Sequence, residues 1–386
     1  MIIPGFSSTG SKRPDALYGP GDLDGLPVRM TRSRGCTVWD EQDREYLDFI
    51  MALGAVALGY GYPAVNRAAQ EAIESGVVGS LAPVHEEALA QELKRRIPLL
   101  DQVRFLKTGA EAVAAAVRIG RASTGRDGVL GCGYHGWLDW CQVDDPAVPS
   151  GTRASFQALR FNDPGDARKQ IRALATKLAA VVIEPVIDAA PSTEWLQTLR
   201  DETTAVGAVL IFDEIKTGCR LAVGGAAERY AVEPDLMVMG KALANGFPLA
   251  LVGGRSSVME AAARTWISST LATEMVSLAA ARVTLELIAA AHVPARLTES
   301  GNQLWLGLTR LKELHPNLIS EVRGVPEMCF LEYRGEDTGA AVTRGAARRG
   351  LLFKRNAYNF VSLAHHRADI ETALGILGEV LKELTC

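Results

Sequence analysis

Three ionisable residues stand where apolar runs stop. Glu184 follows Ala180-Val-Val-Ile, Asp213 follows Ala208-Val-Leu-Ile-Phe, and Lys241 follows Asp235-Leu-Met-Val-Met-Gly240. Charged groups at the ends of buried strands are costly unless they are paired or used. Glu184 and Asp213 could act as an acid/base pair in hydrolysis. Asp213 and Lys241 could form a structural salt bridge. Alternatively, Lys241 could condense with a carbonyl as a Schiff-base lysine, with Asp213 holding a cofactor's ring nitrogen protonated.

Two loops add to this set. Thr108-Gly109-Ala110-Glu111 follows Phe105-Leu106 and has the Thr-x-x-Glu spacing of a capping box. Gly109 lets a ligand approach the backbone, and a helix N-terminus favours an anion such as phosphate. A plain helix cap explains the same residues. Gly131-Cys-Gly-Tyr-His-Gly136 matches G-x-G-x-x-G in form, but Trp137-Leu-Asp-Trp-Cys141 follows it and no acidic residue stands about 20 positions on. That excludes a dinucleotide loop. Tyr134 and His135 could instead cover a flat ring, or could be a core aromatic beside a satisfied histidine. No phosphate-binding P-loop exists, because position 235 is Asp and Lys241 precedes Ala242. The adjacent His365 and His366, if on a strand, would face opposite sides and could not share a metal.

The elements that must position these residues follow from composition and pattern. The chain has 386 residues, 48% hydrophobic and 22% charged, with a net charge of −4. Such a chain is globular, holds two or three domains, and carries no basic field for nucleic acid. Ile50 to Val65 is shorter than the ~20 residues of a membrane span, Val276 to Ala295 carries Arg282, Glu286 and His292, and Met1-Ile-Ile-Pro-Gly5 has no signal-peptide character. Six cysteines, none in C-x-x-C spacing, read as free thiols of a cytoplasmic protein. A Gly/Pro/Ser-rich arm leads into a hairpin over Cys36 to Asp48. Short apolar runs then alternate with helices at Ala110 to Ala122, Ala167 to Leu178 and Glu194 to Val206, as in a mainly parallel α/β sheet. Further helices are expected over Arg296 to Leu314 and Asp369 to Leu384, around strand-like Glu321-Val-Arg-Gly and Met328-Cys-Phe-Leu-Glu. The expected organisation is an arm and hairpin at 1–55, a large domain at 56–290 and a small α+β domain at 291–386.

Leu210-Ile-Phe-Asp-Glu-Ile-Lys-Thr-Gly-Cys-Arg220, Gly224-Gly-Ala-Ala-Glu-Arg-Tyr230, Pro234-Asp-Leu236 and Gly240-Lys-Ala242 closely resemble the signature of class III aminotransferases. Phe105-Leu-Lys-Thr-Gly-Ala-Glu-Ala112, Cys132-Gly-Tyr-His-Gly136, Trp39 to Asp48 and Leu58-Gly-Tyr-Gly-Tyr-Pro63 are similar to the glutamate-1-semialdehyde 2,1-aminomutase branch. The resemblance runs from about residue 4 to the end, with the motifs in order. It implies fold type I and pyridoxal 5'-phosphate as cofactor. Lys241 would form the internal aldimine and move protons, and Asp213 would pair with the pyridinium nitrogen. Ile215 and Tyr134 would pack on the two faces of the ring. Thr108, Gly109 and Ala110 would lie at the phosphate, with Ala110 standing where many relatives have a hydroxyl. His135 and Glu184 would line the site. Thr270 would reach the partner's phosphate in a homodimer with shared active sites.

The resemblance further implies transfer of an amino group from an amino donor to a keto or aldehyde acceptor, with the 2,1-aminomutase as the alternative. Relatives that catalyse the mutase reaction carry a long gating segment after Tyr-His-Gly, which here looks shortened between Trp137 and Phe161. Leu352-Phe-Lys-Arg-Asn-Ala-Tyr-Asn-Phe-Val-Ser362 also lacks the acidic residue expected in the mutase. Arg32, Arg34, Arg220, Lys354 and Arg355 are candidate partners for a substrate carboxylate or phosphate.

Overall fold

The computed structural model describes residues 2–385, and the chain divides into two compact units. One is Pro63–Pro294; the other joins the segment up to Tyr62 with the segment from Ala295.

In the second of these, strands β1 (Met30–Arg34), β2 (Thr37–Asp40) and β3 (Glu45–Asp48) form an antiparallel meander. The expected hairpin is β2–β3. Strand β1 falls inside the arm expected to be irregular, since its residues are mostly exposed and show no alternation to read. Asp40 holds the turn together. It accepts hydrogen bonds from the backbone N–H groups of Gln42 and Arg44, the Arg44 guanidinium and the Tyr46 hydroxyl.

The Pro63–Pro294 unit is built on a seven-stranded sheet. Its strands are β4 (Gln102–Leu106), β5 (Gly128–Cys132), β6 (Phe156–Ala158), β7 (Leu178–Ile183), β8 (Val209–Asp213), β9 (Leu236–Met239) and β10 (Ala250–Gly254), in the order β4-β10-β9-β8-β7-β5-β6. Only β10 runs antiparallel to its neighbours. Every residue of β7, β8, β9 and β10 is buried, as apolar strands covered on both faces require. The Gly109–Thr124 helix lays Ala112, Val113, Ala116, Val117 and Ile119 on this sheet. Because β10 alone is reversed, the carboxyl ends of β4, β5, β7, β8 and β9 share one edge, where open α/β sheets bind ligands.

The chain from Ala295 onward adds β11 (Ile319–Val325), β12 (Met328–Tyr333), β13 (Leu351–Leu352) and β14 (Asn359–Phe360). Strand β13 extends the meander by parallel pairing with β3, and β11-β12-β14 form a separate antiparallel sheet. The last helix is Arg367–Glu383, with Asp369 in a capping box at its start. His365 and His366 lie in the approach to that helix rather than on a strand. His365 is buried against Ser362 and the Asp48 carbonyl, and His366 is the N-cap. Among the described residues no group of His, Cys, Asp and Glu could hold a metal, and no single helix is long and apolar enough to cross a membrane.

Candidate active site

Each residue singled out at a strand end lies in the Pro63–Pro294 unit, and most converge on the shared carboxyl edge. Lys241 follows β9 through Gly240 and opens a single 3-10 turn, Lys241–Ala244. Its backbone φ is 45°, a conformation disfavoured for a side chain of this size and found where function holds it. Burial, and then the nearby Lys216 ammonium, bring its amine down to about 8, while Glu184 and Asp213 pull the other way.

Asp213 ends β8 and is buried. Its Oδ1 accepts the Ile215 backbone N–H at 3.2 Å, and its Oδ2 lies 2.8 Å from His135 Nδ1. An ionised carboxylate only accepts, so Nδ1 carries the proton. His135 Nε2 is buried with no hydrogen-bond partner, and the ring stacks on Trp140 with centroids 6.0 Å apart. Asp213 is therefore committed to His135, and no ion pair joins it to Lys241 among the described residues.

Glu184 follows β7. Its Oε1 pairs with Lys216 Nζ at 2.9 Å, with both side chains about nine-tenths buried. Its Oε2 accepts the Tyr134 backbone N–H at 2.9 Å. With Glu184 held by a cation and Asp213 by a histidine, the two carboxylates do not form a hydrolytic acid/base pair. Glu214, next to Asp213, turns elsewhere. It accepts from the Thr217 hydroxyl and from the Ala226 and Ala227 N–H groups, and burial raises its carboxyl to about 7 against those bonds.

The capping box at Thr108 is formed. The Thr108 hydroxyl accepts the Glu111 N–H at 3.3 Å, and Glu111 accepts the Thr108 N–H at 2.9 Å. Gly109 and Ala110 are first-turn positions whose N–H groups have no intrahelical acceptor. Glycines bring the pieces together. A Cβ on Gly109 or Gly240 would come within 3.0 or 2.9 Å of Ile215 Cδ1, and one on Gly136 within 2.5 Å of the Ala110 Cβ. Gly133, at φ +110°, is closed in by Glu184. The Tyr134 ring stands at the surface, 66% exposed. Thr270 lies apart in an exposed turn. Sequence reasoning missed Lys216: nothing local marks its partner, which lies on a different strand end.

A lysine following β9, a buried carboxylate ending the neighbouring β8 and a glycine-opened helix start have the chemistry that pyridoxal phosphate requires. The model of the class-III aminotransferases matches residues 20–381. The chain belongs to the class-III aminotransferase family. It is 32% identical to the glutamate-1-semialdehyde 2,1-aminomutase of Thermus thermophilus, over 93% of each chain. Its fold superposes on the FumI protein of Sphingopyxis sp. MTA144 in its pyridoxal-phosphate internal aldimine form, with a TM-score of 0.89 and 25% identity, covering 96% of this chain and 93% of that one. An omega-transaminase from Sphaerobacter thermophilus superposes with a TM-score of 0.88 and 26% identity, covering 100% and 95%. The chain is thus a pyridoxal-phosphate-dependent enzyme of the aminotransferase type.

Proposed function

We propose that this enzyme transfers an amino group between two separate substrates, from an amino donor to a keto or aldehyde acceptor. When bound, pyridoxal phosphate supplies a carbonyl for amines and a ring that accepts electrons from the adjacent carbon. The residues fit it. The Asp213 carboxylate, oriented by His135 and the Ile215 N–H, favours a cationic ring nitrogen. Ile215, packed between Gly109 and Gly240, offers one apolar face, and Tyr134 would cover the other. The Gly109 and Ala110 N–H groups suit the phosphate. Lys241 would hold the cofactor through its carbonyl and, as a free amine, would move a proton from the substrate carbon to a neighbouring atom.

The observation that carries this reading is the placement of Lys241 just after β9, with Asp213 ending the paired strand β8. Transfer between separate substrates is supported by the absence of any acidic residue from Leu352 to Ser362 and by the short stretch after Gly136. The mutase reading is favoured by the names of the curated relatives. Five free thiols among the described residues suit a reducing cytoplasm. Thr270, exposed and outside its own subunit's cluster, suits a homodimer in which it serves the partner's site.

A screen of donors and acceptors, followed by cofactor absorbance between about 330 and 420 nm, tests this. A donor alone should convert the absorbance, and a separate keto acid should restore it. Conversion of glutamate-1-semialdehyde alone to its isomer, with no reversal by keto acids, would establish the mutase instead.

A further inference from the structure

Lys216 has no part in the mechanism above, yet its side chain is nine-tenths buried against Glu184. It stands three residues after Asp213, in the turn whose Ile215 packs against Gly109 and Gly240. Its ammonium is 2.9 Å from Glu184 Oε1, with only 10% of its side chain exposed. A buried ion pair seldom adds stability over an apolar pair of the same size, so its place in a catalytic pocket calls for another reason. Glu184 ties two loops to the end of β7. One oxygen holds Lys216, the other holds the Tyr134 N–H, and its carbon stem closes over Gly133.

Four charged groups act on the Lys241 amine: the cations Lys216 and Arg220, and the anions Glu184 and Asp213. Behind the anions stand His135, on Asp213, and the Tyr134 backbone, on Glu184. Lys216 is the largest of the charged influences on Lys241 and Glu184 the next, with opposite signs. A second cation near an amine is a recognised way to keep a nucleophilic lysine unprotonated.

We propose that Lys216 is a positioning residue of the amino-transfer centre: tethered to Glu184, it fixes the wall that carries Tyr134 and presents a second ammonium to Lys241. This rests on Lys241 being the cofactor lysine. Glu184 then acts as a brake on that ammonium as well as its tether. Removing either partner therefore has opposite consequences for Lys241, which general damage to the pocket would not produce.

The test is trace acetylation of the full-length protein freed of cofactor, with the Lys241 peptide followed by mass spectrometry across pH 6–11. In the unaltered protein, labelling should reach half its maximum near pH 8. Lys216→Met should move that midpoint alkaline by about one pH unit, and Glu184→Gln should move it acid. Lys216→Arg should leave it in place. An unmoved midpoint in Lys216→Met, or shifts of the same sign in both variants, would overturn the proposal. If Lys216→Met fails to fold, Lys216→Gln takes its place, and the same alkaline shift is required. Failure of the underlying reading shows differently: Lys241→Ala would keep the cofactor absorbance, whatever Lys216 does.

Discussion

Lys241→Met should stabilise the cofactor-free protein at neutral pH while removing its proposed chemistry. An ordinary lysine titrates near 10.5, and burial with Lys216 alongside brings Lys241 to about 8. Between those values the unfolded chain binds more protons than the folded one, so stability rises with pH across that window. Below pH 8 the folded state carries the whole cost of the buried amine. At about 1.4 kcal/mol per pKa unit, that cost is about 3 kcal/mol. Methionine fills similar space without a charge. In return for the cost, the neutral amine at pH 7 rises from about one part in three thousand to about a tenth. Urea unfolding of both cofactor-free proteins at pH 7, 8.5 and 10 measures the difference. The variant should be the more stable by about 3 kcal/mol at pH 7, with the gap closing as pH climbs toward 10.5. A variant no more stable than the parent at pH 7, or a gap independent of pH, refutes the reasoning.

Other residues give sharper local outcomes. Gly133→Ala places a Cβ 2.6 Å from Glu184 Oε2 at a positive φ, so thermal unfolding should show a loss of about 1–3 kcal/mol together with weaker cofactor binding. Asp213→Asn keeps the shape but removes the charge facing His135. Turnover should fall at least about a hundredfold while the fold persists by circular dichroism. In the β2–β3 turn, burial pushes the Asp40 carboxyl up, but hydrogen bonds from Arg44, Tyr46 and Gln42 together hold it below the ordinary carboxylate range. Its stabilisation is therefore present above the ordinary carboxylate pKa and lost as pH falls through the lowered one. Asp40→Asn should cost about 1–3 kcal/mol at pH 7, and melts at pH 7 and pH 3 should show that the variant depends less on acid.

The parts of this molecule legible in its sequence are those where one short stretch holds both signal and explanation. Continuous apolar runs ending in Asp213 and Lys241 could only be strands buried on both faces, and the charge at each end marked the ligand edge. Thr108 and Glu111 announced a helix start by spacing alone, and the structure closes that capping box. What could not be read depends on partners distant along the chain. Lys216 looked like any polar loop residue until β7 and β8 paired and brought Glu184 to it. Strand β6 has three residues at a sheet edge, too few for a period. The reversal of β10 leaves no local trace, because a buried strand reads the same in either direction. Asp213 and Lys241 suggested a salt bridge by their types. The geometry gives the acid to His135 instead, a residue whose glycine-rich loop suggested either a cover for a flat ring or a satisfied core histidine.

The central claim is that Lys241 is the lysine that holds the cofactor and moves the proton. Borohydride reduction of the cofactor-loaded protein, followed by peptide mass spectrometry, tests it most directly. A pyridoxyl group should appear on Lys241, and none in Lys241→Ala. A pyridoxyl group on Lys216, Lys107 or any other lysine, with Lys241 unmodified, would contradict it.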